Sequence, residues 1–301
     1  QKANFSALRN YASFGEYNPT RNIISEQKLK AMNPQEFLNV LKSLKNYKQT
    51  VLYYGPSSLK EVDLLVSKTI QSPKKFVEVP AAKRYTEQTT PKNEVIIAPY
   101  DAKNIYMVQL HNQNQQWSAD RAPIIALFNE YFGGGMNAIV FQELREARGL
   151  AYSAYAQYDS PTRLGDSESF YTYIITQNDK MMDCVGEFNK LLNNVPVRQS
   201  GFDLAKQSLM KNLASQRTTK YSVLTAYLAL QRLGLDCSLS EKIYKALPSL
   251  QLQDVINFEK EYIANKTFKY IILGNEKELD MKALEKIAPI KRVTTEEIFG
   301  Y

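Results

Sequence analysis

Residues 131–153 read YFGGGMNAIVFQELREARGLAYS, and the rest of the chain can be organised around how this stretch folds. Three consecutive glycines, Gly133, Gly134 and Gly135, stop the helical pattern before them, because glycine opens positive φ and loses the most backbone freedom in a helix. A second helical pattern, Val140, Leu144 and Ala147, runs through Arg145 to a turn at Gly149. A strand then begins at Ala151 and carries Tyr152. Seven residues separate Arg145 from Tyr152, so a helix end and the next strand can aim a guanidinium and a phenol at one point. Taken singly, each has a plain structural explanation. Arg145 suits a helix C-terminus, where a cation is favoured by the macrodipole, and Tyr152 is one of twenty tyrosines available to pack a sheet. Glu143 and Arg148 read as solvated helix charges.

Upstream, Ile124, Leu127, Phe128 and Tyr131 recur at i, i+3, i+4 and i+7, the stripe of an amphipathic helix, with Ser118 as N-cap and Asp120 in the first turn. Before it come two strand patterns, Val95 to Ala98 and Ile105 to Leu110, rich in β-branched and aromatic residues. Downstream, strands are expected over 152–158 and 170–176, joined by a loop with Pro161 and Gly165. Helices follow, on Met181, Val185, Phe188 and Leu192, then on Phe202, Ala205, Leu209 and Leu213. A last helix spans 279–287, and a short strand is expected near 291–294. Paired strands between groups of helices predict an α+β fold, a layered and mostly antiparallel sheet with helices packed on one face.

The sequence also repeats. Ser6-Ala7-Leu8 with Tyr11, then Ser25-Glu26, then Val51-Leu52-Tyr53-Tyr54-Gly55 reappear as Ser222-Val223-Leu224 with Tyr227, Ser240-Glu241, and Tyr270-Ile271-Ile272-Leu273-Gly274. Each series predicts a helix, a helix opened by serine, a longer helix, and an apolar strand closed by glycine. A repeat of such long period indicates a duplicated domain rather than a solenoid. Roughly 125 residues of strand and helix precede the second series and five precede the first. Residues 1–71 are therefore expected to be the C-terminal remnant of a first homologous domain, and 94–301 a complete second one. Between them, 72–93 carry Pro73, Pro80 and Pro91 among charges, the composition of an extended linker.

Composition narrows the function classes. The net charge is +7, but Lys and Arg are spread along the chain, the pattern of a solvated surface rather than a nucleic-acid footprint. No run of 18 apolar residues exists, so membrane insertion is not expected. The N-terminal residues lack the apolar region of a signal peptide, although a chain after signal cleavage would look the same. The compartment is open, with bacterial periplasm or cell envelope the setting to test. Two cysteines, Cys184 and Cys237, form no disulfide framework and read as unpaired, mostly buried thiols. With the single histidine, His111, they provide no zinc ligand set.

The pattern ELREARGLAYS after a glycine-rich break resembles the C-terminal half of the pitrilysin or insulinase type of zinc metallopeptidase, the family of insulin-degrading enzyme and the mitochondrial processing peptidase. The resemblance covers essentially the whole chain and implies the same layered fold. It implies that Arg145 and Tyr152 hold the scissile carbonyl of a peptide substrate, and that Gly133, Gly134 and Gly135 lie beside the substrate chamber. It also implies zinc in the complete enzyme, held through an inverted H-x-x-E-H motif by an N-terminal half or a partner subunit and not by this chain. Donors aimed at the oxygen that becomes negative during hydrolysis lower the barrier; a guanidinium and a phenol are suited to that task. The alternative is a non-catalytic structural or partner subunit of the same fold.

Overall fold

The structure, a computed structural model, describes residues 2–300. In chain order the elements are helices α1 (Lys2–Phe14), α2 (Glu26–Ala31), α3 (Pro34–Ser43) and α4 (Leu59–Thr69), then strands β1 (Glu94–Pro99) and β2 (Asn104–Gln116). Next come α5 (Ala122–Phe128), α6 (Ile139–Phe141), β3 (Ser153–Asp159) and β4 (Ser167–Gln177). The remainder is α7 (Met181–Asn193), α8 (Gln199–Ser215), α9 (Lys220–Arg232), α10 (Leu239–Ala246), α11 (Leu252–Tyr262), β5 (Lys269–Gly274), α12 (Met281–Ile287), β6 (Ile290–Arg292) and α13 (Thr295–Phe299).

The strands form one sheet in the order β3-β4-β2-β5-β1-β6. Three of its pairings are antiparallel (β3 with β4, β4 with β2, β2 with β5), while β5 with β1 and β1 with β6 are parallel. This is the α+β class expected from the sequence. One face packs against the main helical layer through Phe128, Phe188, Phe202, Phe258 and Leu284. The other is covered by α1, whose Phe5, Leu8 and Tyr11 meet Ile96, Val108 and Ile271, and by Ile298 of α13. Burial on both faces explains why the central strands β1 and β5 read as continuous apolar runs. Buried Lys269 bonds across to Ala12 O at 3.1 Å and Gln88 Oε1 at 3.0 Å.

The chain divides into two compact units that do not follow its covalent order. One comprises Gln1–Asn22, Tyr85–Gln216 and Leu230–Tyr301; the other comprises Ile23–Arg84 and Arg217–Ala229. Helix α1, by sequence part of the first copy, thus belongs to the same unit as the sheet. The 72–93 stretch is shared between the units, and from Tyr85 it is tied into the sheet unit. Gln88 N–H donates to Ser13 O at 2.8 Å, and Thr90 N–H to Asn112 O at 2.7 Å.

In the smaller unit, α3 starts from an Asn33 cap with Pro34 at its first position, and α4 from a Ser58–Glu61 capping box. Residues 51–54, expected as a strand, form none, because no neighbouring strand offers its backbone a ladder. Three further expectations are revised. Helix α10 is capped by Ser238 rather than opened at Ser240. Cys237 is exposed, whereas Cys184 is buried. Strand β2 continues through His111 to Gln116, because Phe170, Glu168 and Ser167 of β4 extend the ladder past an irregularity between His111 and Gln115.

Candidate functional site

The glycine-rich stretch joins two helical segments by π-helical turns. Helix α5 passes into one at Asn129–Gly133, and α6 into another at Gln142–Ala147. Such turns recur at functional sites because they rotate the following side chains out of α-helical phase. The sequence pattern showed ordinary helices here; the first of these turns packs against β3, a contact that lies outside local periodicity. A Cβ on Gly133 would stand 1.8 Å from Ala156 O, so the turn lies directly on the β3 backbone. Asn129 completes that contact: its Nδ2 donates to Tyr158 O at 3.0 Å, and its Oδ1 accepts from Tyr158 N–H at 2.8 Å. Gly133 is therefore buried for packing, whereas Gly135 is exposed at φ +83° with open space at its Cβ position.

Arg145 projects from the second π-helical turn, half exposed, with buried Leu144 anchoring the turn behind it. Gly149 reverses the chain at φ +58° and donates to Arg145 O at 3.1 Å. Leu150 O then accepts from Thr176 Oγ1 at 2.5 Å and contacts Cys184 Sγ at 3.3 Å. Burial pushes that thiol up to about 11, so it stays protonated.

The strand begins irregularly. Tyr152 N–H donates to Ile175 O at 2.9 Å, while Ser153 is also opposite Ile175 in the ladder. Two residues facing one is a bulge, a device that re-aims a side chain. Here Ala151 is buried and the Tyr152 ring is 75% exposed. Arg145 Cζ lies 5.7 Å from the Tyr152 ring centroid and 4.9 Å from that of Phe141. The two residues singled out by spacing are thus neighbours in space.

Their surroundings leave the guanidinium little engaged. Arg145 Nε is 3.8 Å from Glu146 Oε1, too far for a hydrogen bond. Nearby carboxylates have other partners: Glu143 pairs with Arg198, and Glu187 with Arg148 at 3.3 Å and Lys190 at 2.6 Å. Glu143 is consequently a half-buried ion-pair member, not the solvated charge expected from its helical position.

A second arginine–tyrosine cluster, absent from the sequence-based candidates, sits at the other end of β3. Glu168 is buried; it pairs with Arg121 at 3.1 Å and accepts the Tyr158 O–H at 3.0 Å. Burial and the Glu168 carboxylate raise the Tyr158 phenol, keeping it a donor. Its partners lie 47 and 10 residues from Glu168, and no short motif marks them.

His111 is buried with Nδ1 against Thr267 O at 2.7 Å, and desolvation lowers its pKa. Among the described residues, no group of three or more His, Cys, Asp or Glu is placed to hold a metal ion. No helix among them is long and apolar enough to cross a membrane.

A profile of the peptidase M16 inactive domain matches residues 36–209, more than half of the chain. The chain belongs to the peptidase M16 family. An uncharacterized zinc protease from Rickettsia bellii is 36% identical over 84 residues, 27% of this chain and 20% of that protein. A conserved protein from Enterococcus faecalis V583 superposes with a TM-score of 0.68 at 14% identity, over 93% of this chain and 65% of that one. Pitrilysin superposes with a TM-score of 0.61 at 13% identity, over 98% of this chain and 33% of its own. The chain spans less than two thirds of these relatives' lengths, and the match to the inactive domain makes it an M16-type C-terminal half.

Proposed function

We propose that this M16 half is the substrate-holding part of a zinc-dependent endopeptidase, with Arg145 and Tyr152 receiving the carbonyl oxygen of the peptide bond to be cut. One observation carries this: the guanidinium carbon of Arg145 stands 5.7 Å from the centroid of the Tyr152 ring at the surface, and neither side chain is held by a close hydrogen bond in the site. Peptide hydrolysis builds negative charge on the former carbonyl oxygen. A positioned donor costs little reorganisation at that moment and contributes ~10²–10³ in rate. Arg145 offers a permanent cation with forked N–H groups; Tyr152 offers a neutral O–H. The exposed backbone at Gly135 is free of side-chain bulk on the same stretch and can lie along the peptide, with Gly134 half-buried beside it and its N–H bonded to Asn129 O at 2.7 Å, while Gly133 is engaged in packing.

His111, Cys184 and Cys237 do not fit a zinc site, so in this proposal zinc belongs to an N-terminal half or partner subunit. The test uses the complete enzyme and a fluorogenic peptide. Arg145→Ala should lower kcat/KM at least ~10²-fold, and Arg145→Lys should remain impaired because it keeps the charge but loses the fork. Full activity in both variants would make the chain a non-catalytic partner subunit.

A further inference from the structure

Lysine is almost never fully buried unless an opposite charge meets it. Lys269, the first residue of β5, is 3% exposed and is the one buried Lys or Arg among the described residues. Its Nζ bonds only to neutral oxygens, Ala12 O at 3.1 Å and Gln88 Oε1 at 3.0 Å. The Ala12 contact suits the end of α1, where backbone carbonyls lack helical partners and a cation is favoured. It does not use the whole group, because an ammonium carries three N–H donors. Burial lowers the Lys269 pKa; Glu94 and Glu87 offset part of the fall, and Lys291 adds to it.

Lys269 lines a cavity of about 480 Å³ between the end of α1 and the β5-β1-β6 side of the sheet. Strand register explains why charged groups collect there. Lys269 leads Ile271 by two residues, Glu94 leads Ile96 by two, and Lys291 stands opposite Ile96. Alternation therefore puts all three on the face that α1 covers. Lys291 Nζ donates to Tyr11 Oη at 3.1 Å and lies 5.0 Å from that ring centroid. Having accepted this bond, the Tyr11 hydroxyl keeps its own proton to donate. Ala12 and Ile96 give the cavity an apolar wall, while Glu16, Gln88, Pro289 and Lys291 line it from exposed positions.

We propose that this cavity is a binding site for a carboxylate carried on a short apolar stem, with Lys269, Lys291 and Tyr11 donating to its oxygens. A concave site with an apolar wall and a few convergent polar groups is the usual form of a small-ligand pocket. Charge sets the valence of the ligand. Buried Lys269 lacks an ion-pair partner, which calls for one negative charge; Glu94 and Glu16, lining the same cavity, disfavour a second. The carboxylate can come from a free short-chain acid or from the C-terminus of a peptide. The site borders β1, β5 and β6, whereas Tyr152 precedes β3 at the opposite edge of the sheet, so it stands apart from the peptidase proposal.

Isothermal titration of the complete protein tests it, with butyrate, inorganic phosphate, and alanyl-alanyl-valine bearing a free or an amidated C-terminus as probes. Saturable binding at one site per chain is expected for butyrate, for the free-acid peptide, or for both, and the tighter of the two identifies the source. The amidated peptide should not bind. Lys291→Gln and Tyr11→Phe should each weaken the bound probe at least ~10-fold, since each removes a donor to a charged oxygen, and neither touches the buried ammonium. Binding of neither carboxylate overturns the proposal. So does phosphate binding more tightly than both, equal binding of the amidated peptide, or unchanged affinity in the two variants.

Discussion

Strand β3 has an arginine and a tyrosine at each end, and the two pairs are used differently. At its far end, Tyr158 and Arg121 both converge on the buried carboxylate of Glu168. At its start, Arg145 and Tyr152 lie side by side with no shared carboxylate, and the phenol faces solvent. The first pair has its hydrogen-bonding capacity satisfied within the fold. The second has positive charge and donors left for something outside it. Residue type and proximity are similar at both ends; what differs is whether the groups already have partners. That difference separates a structural cluster from a candidate site.

The largest expected effect lies at the structural end. Glu168→Ala should destabilise the protein by about 3–5 kcal/mol, because it leaves the Arg121 charge and the buried Tyr158 hydroxyl without their acceptor. Replacing both charges, Arg121→Met with Glu168→Leu, should recover part of the loss; urea denaturation of the three proteins measures both effects. If Glu168→Ala were neutral, this end would be as uncommitted as the other.

The glycines give the next contrast. Gly133→Ala should cost about 3 kcal/mol, since its Cβ would meet backbone at Ala156. Gly135→Ala should cost about 1 kcal/mol, from its positive φ alone. Similar losses in thermal unfolding would remove the assignment of Gly133 to packing and Gly135 to the open surface.

Glu259 sharpens the comparison with a smaller effect. It is buried like Glu168 but its Oε1 has no partner, and burial raises its carboxyl from 4.5 to about 7. The folded-state value lies above the unfolded one, so the contribution is fully present below pH 4.5 and lost as pH rises through 7. Melting temperature should fall across that window in a Glu259-dependent manner, and Glu259→Gln should flatten the profile. An unchanged slope in the variant would assign the pH dependence to other groups.

How much of this was written in the sequence follows from the range of the interactions. The runs at Val95 to Ala98 and Ile105 to Leu110, and the stripe from Ile124 to Tyr131, are local patterns and became β1, β2 and α5 with its π-helical extension. The Arg145–Tyr152 spacing was equally local, so the pair could be named and then found together. The π-helical turn that ends at Gly133 could not be read, because it packs against Ala156, twenty-three residues later. Nor could the Glu168 cluster, whose arginine is 47 residues away. Val51 to Tyr54 have the composition of a strand without forming one, since a strand needs a neighbour as well as a propensity.

The comparison is tested most directly by removing one oxygen from each end of β3 in the complete enzyme. Tyr152→Phe should lower kcat by ~10²–10³ with a smaller change in KM and stability within about 0.5 kcal/mol. Tyr158→Phe should leave kcat near normal while costing about 1–2 kcal/mol of stability. A Tyr152→Phe enzyme with normal turnover, or one whose lost activity tracks lost stability as in Tyr158→Phe, would contradict the account.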